Sequence, residues 1–97
     1  MINDINLPFF KGEELNEGDQ ARIRTAFERK GKYNKYTANV VINGKEGQLS
    51  INDTSIGNLV AVYGNKPEEW IGKEMVMSYE DTTQRQHVRM WRPLING

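Results

Sequence analysis

Apolar and polar positions alternate from residue 20 to residue 27. Ala21, Ile23, Thr25 and Phe27 fall on one side, and Arg22, Arg24 and Ala26 on the other. A period of two over this length predicts a half-buried strand, because successive side chains of an extended chain point to opposite faces. The alternation resumes over residues 36–43, with Ala38, Val40 and Ile42 inward and Thr37, Asn39 and Val41 outward. Leu49 and Ile51 carry the apolar face into a third strand, opposite Gln48 and Ser50. Gly31 and Asn34 break the pattern between the first two strands. Asn43-Gly44 is the strongest turn signal in the chain, since both residues accept left-handed backbone at low cost.

The period then changes. Asp53 or Thr54 is placed to cap a helix, and Ile56, Leu59, Val60 and Tyr63 follow at spacings of three and four, on one helical face. Gly64-Asn65 ends it. Pro67 opens a further helical turn with Glu68 and Glu69 near its positive end and Trp70 packed beneath the helix. Residues 75–79 and 88–92 read as two last strands joined by a polar loop. This order predicts an all-β fold with one helix: a five-stranded OB-type barrel whose helix joins strands 3 and 4. Such barrels bind oligonucleotides or oligosaccharides on the face of their middle strands and with the flanking loops. Residues 1–19 form an arm, docked through Leu7, Phe9 and Phe10, and residues 20–97 form the barrel domain.

Charge sharpens this division. The 97-residue chain has 13 basic and 13 acidic residues. The arm holds five acids against Lys11, a net of −4, so the barrel domain carries 12 bases and 8 acids, a net of +4. There is no cysteine, which excludes disulfides and thiolate chemistry and fits a reducing compartment. The first residues have neither a basic start nor an apolar core, so no signal peptide is expected. No apolar run reaches the length of a membrane span. A cytoplasmic protein with no membrane partner is expected.

Signals of catalysis are missing. His87 is the single histidine, no phosphate-binding glycine loop occurs, and the paired acids read as solvated charges. No catalytic residue, metal or cofactor is expected. The loop between the first two strands is more informative. Arg29, Lys30, Lys32 and Lys35 surround Tyr33 and Tyr36. Cations neutralise phosphates, and a tyrosine ring offers a base a face to stack on. Arg22 and Arg24 face outward from the first strand, and Arg85 and His87 lie in or beside the loop before the last, at the other rim of an OB groove. If Val88 and Met90 point inward, Arg89 and Trp91 share the outer face as a stacking platform; a bulge would turn Trp91 into the core instead.

Leu49-Ser50-Ile51-Asn52-Asp53-Thr54, the stretch from Leu59 to Gly64, Glu69-Trp70-Ile71-Gly72-Lys73 and the closing Arg92-Pro93 resemble small OB-like proteins of phages and integrated mobile elements, as does the early Phe10-Lys11-Gly12-Glu13-Glu14-Leu15 leader. The resemblance implies an OB-like fold and a setting among replication or recombination genes. Its matching residues, Asn52, Thr54, Trp70, Gly72 and Lys73, transfer a fold and not a binding site. The base-stacking positions of bacterial single-strand-binding proteins have no counterpart here.

The expected function is sequence-independent binding of single-stranded DNA or RNA through Arg22, Arg24, Lys30, Lys32, Tyr33, Lys35, Tyr36, Arg85, Arg89 and Trp91. A protein-interaction module on the same scaffold competes with it, favoured by zero net charge and the acidic arm. An oligosaccharide-binding barrel is the third reading. A protein partner and a homodimer are left open.

Overall fold

The computed structural model describes residues 7–95, so residues 1–6 of the arm and the terminal 96–97 lie outside it. The described chain is mostly β with one helix. Its strands are β1 (Gln20–Ile23), β2 (Glu28–Lys30), β3 (Lys35–Ile42), β4 (Lys45–Ile51), β5 (Glu74–Glu80) and β6 (Val88–Pro93), with the helix α1 at Asp53–Tyr63. Gly12–Glu14 and Pro67–Trp70 are short 3-10 turns. The strands form an open antiparallel sheet in which β3 pairs with β4 along one edge and with β1 and β2 along the other. The sheet continues from β1 through β5 to β6.

Six strands replace the expected five because the first is cut in two. The amides of Arg24 and Thr25 both donate to the Asn39 carbonyl, at 2.8 and 3.3 Å. Two residues thus oppose one, as in a β-bulge. The Thr25 hydroxyl accepts from the Asn39 amide at 2.9 Å, replacing a ladder partner. The register moves from Ile23 opposite Val40 to Glu28 opposite Thr37. That is a slip of two residues, and an even slip leaves the facing unchanged. Ala21, Ile23 and Phe27 therefore all reach the core as expected. Counted strictly, the helix follows the fourth strand and not the third.

The closed five-stranded barrel is also not what the hydrogen bonds form. Among the described residues β4 and β6 share no ladder. The outer edge of β4 is taken instead by the arm. The Phe10 amide donates to the Gln48 carbonyl, and the Gln48 amide to the Pro8 carbonyl, both at 2.9 Å. This covers an edge that would otherwise be left unpaired. Gly47 allows the approach: a Cβ there would come within 2.8 Å of the Pro8 carbonyl and 2.9 Å of the Phe10 ring. Phe10 packs against the core while Phe9 stays exposed.

Asn43-Gly44 forms its turn with φ of 53° and 80°, and Ile42 faces Lys45 across it. The helix is capped by Asn52, one residue before the expected caps; its side-chain oxygen accepts from the Ser55 amide at 2.8 Å. Leu59 is buried and Ile56 and Tyr63 partly so, but Val60 faces solvent. Trp70 is fully buried, lies 6.2 Å from Phe27, and donates its indole N–H to the Gly64 carbonyl at 3.0 Å. No helix among the described residues is long and apolar enough to cross a membrane.

Candidate functional site

Where β4 and β6 fail to join, a cleft of about 610 Å³ opens. Leu49, Ile51 and Trp91 line its floor, and Phe10 and Gly12 of the arm line one side. Arg29, Tyr33, Asn34 and Lys35 reach it from β2, β3 and the hairpin between them. Arg85, His87 and Arg89 reach it from the β5–β6 connection and the start of β6. Four permanent cations thus surround the cleft with one carboxylate, Asp53. A concave site lined by one sign of charge raises the local concentration of the opposite ion.

Each cation is held differently. The Arg29 guanidinium donates to the Asn34 carbonyl at 3.0 Å, lies 4.2 Å from the centre of the Tyr36 ring, and approaches Asp53 at 3.8 Å. It is fixed in place. Lys35, Arg85 and Arg89 make no ion pair among the described residues. Arg89 lies over Gly12, where any side chain would collide with its guanidinium. The Thr82 hydroxyl shapes the loop that carries Arg85, accepting from the Arg85 amide at 2.9 Å. The His87 amide donates to the Asp81 carboxylate at 2.9 Å, and the His87 ring lies on that of Tyr79.

The arm's acids are turned to other tasks. Glu14 accepts from the Lys11 amide at 2.8 Å and faces Lys45 at 3.4 Å. The Lys11 amide is the main cause that holds its carboxyl below the usual range. Glu80, on β5, accepts two hydrogen bonds from Arg92 at 2.6 and 2.7 Å. These are the chief cause of its lowered pKa, with Ser78 adding to them and slight burial opposing.

Of the residues expected at a binding face, the cleft gathers Tyr33, Lys35, Arg85 and Arg89 around its rim, with Trp91 buried in its floor. Tyr33 is 75% exposed at the hairpin tip. Lys30 and Lys32 are exposed on the same hairpin but do not line the cleft. Arg22 and Arg24 point to the other face of the sheet, and Arg22 pairs with Glu74 at 3.4 Å. They do not join the cleft residues on one face.

Two expectations are overturned. Trp91 is 2% exposed and belongs to the core, so the outer stacking platform does not exist. No bulge is involved: the β5–β6 register runs unbroken from Met75 opposite Pro93 to Glu80 opposite Val88. Trp91 lies opposite Met77 and shares its inner face, while Met90 lies opposite Ser78 and is buried too. Arg89 and Trp91 do share a face, but it is the inner one, and Arg89 emerges at its open end. Tyr36 is in phase with Ala38 and Val40, half-buried against the core, and already covered by Arg29. It has little free face for a base.

Arg29 and His87, which lie in the two candidate loops, were not among the ten residues expected to bind, yet both line the cleft. No family model matches the chain, and neither a curated protein nor a solved structure matches it.

Proposed function

We propose that this chain is a non-catalytic module that binds single-stranded nucleic acid in the cleft between β4 and β6, largely without regard to sequence. The observation that carries the proposal is the meeting of Arg29, Lys35, Arg85 and Arg89 around one concavity from separate parts of the chain. Phosphates satisfy such a ring, and the exposed Tyr33 offers stacking area that every base can use.

The scaffold supports the same reading. With β1 and β2 counted as one interrupted strand, the chain has five, in the order β4, β3, β1–β2, β5, β6. This is the plan of a partly open OB-like barrel, in which the loops after the first and fourth strands flank the binding face. Here those are the hairpin at 31–34 and the loop at 81–87, and both reach the cleft. Asn52 bridges the opening by donating to the Arg89 carbonyl at 3.1 Å. With the resemblance in residues 49–54 and 70–73, we place the activity in replication or recombination of a phage or mobile element, in the cytoplasm.

Charge removal tests the reading. Lys35→Ala and Arg89→Ala should each weaken binding of a fluorescent oligonucleotide at low salt, whereas Arg22→Ala and Arg24→Ala should leave it nearly unchanged. Equal losses from all four would mean diffuse attraction and no cleft. A second reading, docking of a protein, is favoured by the exposed Val62, Ile71 and Ile95 around a separate depression. Binding of a protein partner by a chain that ignores oligonucleotides would put it first.

A further inference from the structure

The β5–β6 rim of the cleft carries an aromatic pair that is already stacked. The rings of His87 and Tyr79 lie 4.0 Å apart between centroids and within 5° of parallel. Tyr79 is the lower partner: it continues the inner-face series of Met75 and Met77, packs against the core, and sits opposite Arg89 in the ladder. His87 is the upper partner and is exposed. One face of its ring rests on Tyr79, so the accessible part is the other face and the edge.

Its position is specified by the backbone. His87 has φ of 58°, a left-handed conformation that is uncommon for residues other than glycine and worth explaining where it occurs. The Asp81 carboxylate holds the His87 amide in that geometry. Arg85 and Arg89 flank the ring in sequence and line the same cleft, as does Tyr33 from the opposite loop. An aromatic face between two cations suits a nucleotide, whose base is flat and whose two phosphates are charged.

We infer that His87, backed by Tyr79, is the base-stacking platform of the cleft. This rests on the nucleic-acid reading and deepens it. A base laid on His87 becomes the third layer of a stack whose lower two layers are already fixed, so little side-chain freedom is lost on binding. Recognition is of the base as a flat ring, with phosphates held on either side.

The test compares oligothymidylate with an abasic deoxyribose-phosphate oligomer of the same length. The wild-type chain should bind both, preferring oligothymidylate by roughly 5-fold to 150-fold, the span of one stacked base. His87→Ala should abolish most of that preference while leaving affinity for the abasic strand and its salt dependence unchanged. His87→Gly, which fits the left-handed backbone without strain, should do the same, and His87→Phe should retain the preference. A preference that survives both His87→Ala and His87→Gly would overturn the platform and leave the cleft intact. Failure of the wild-type chain to bind either strand would overturn the cleft reading and the platform with it.

Discussion

The two tryptophans mark two ways of finishing one sheet. Around Trp70 the chain is sealed. Its indole N–H is used by Gly64, and the nearby Tyr63 hydroxyl donates its one proton to the Glu74 carbonyl at 2.6 Å, with the Leu94 carbonyl sharing it at 3.2 Å. Burial is the main cause that raises the Tyr63 pKa, so this phenol stays a neutral donor. Around Trp91 the ring is equally buried, but above it the strands part, and of the rim cations Arg29 meets Asp53 at 3.8 Å while Lys35, Arg85 and Arg89 make no ion pair among the described residues. The two cores are alike; the difference lies in what covers them. The first region is completed by its own backbone, while the second presents a charged concavity that only a ligand would neutralise.

The contrast is sharpened first by Trp70→Ala. Truncating a fully buried aromatic should cost roughly 3–5 kcal/mol, a large share of the about 5–15 kcal/mol that holds a domain together. The midpoint of a denaturant titration reads this directly, and an unchanged midpoint would break the sealed region's part of the comparison. Asn52 joins the two regions, since it caps α1 and bridges the cleft. Asn52→Ala should cost about 1 kcal/mol in the same titration. Asn52→Asp should keep the cap, because a carboxylate also accepts from the Ser55 amide, yet lose the bond to Arg89. If both variants lose equal stability, the bridge and not the cap is what matters.

The smallest effect belongs to Glu80 and Arg92 on the exposed outer face. The Glu80 carboxyl has a lower pKa folded than unfolded, so the pair stabilises the fold above the ordinary carboxylate value, about 4.3. That contribution is lost as pH falls through the folded value. The side chains are 29% and 52% exposed, so the gain at neutral pH should be about 0.2–1 kcal/mol. Glu80→Gln should remove it at pH 7 and narrow the gap to wild type in strong acid; a gap independent of pH would show that the pair is idle.

Local patterns made much of this fold legible. Asn43-Gly44, the span of α1 and the burial of Trp70 follow from turn chemistry and periodicity. The phase of the first strand also holds, but only because the bulge at Arg24 and Thr25 slips by an even number of residues. Trp91 was misread because β6 is covered on both faces, by the core at Trp91 and by α1 at Met90, whose sulfur lies 3.9 Å from the Ser55 hydroxyl. Alternation names a core face only when the other face meets water. The arm's seat on β4 depends on a pairing across about forty residues that no local signal specifies. Likewise, outward phase placed Arg22 and Arg24 on the surface without saying which side of the sheet they would serve.

The central claim is that the cleft holds phosphates. Its most direct test is the affinity of the wild-type chain for a fluorescent oligothymidylate, measured across a range of salt concentrations. If the four cleft cations each hold one phosphate, log affinity should fall with log salt at a slope of about −3, near −0.7 per contact for single strands. Undetectable binding at low salt, or binding whose affinity does not change with salt, would contradict the account.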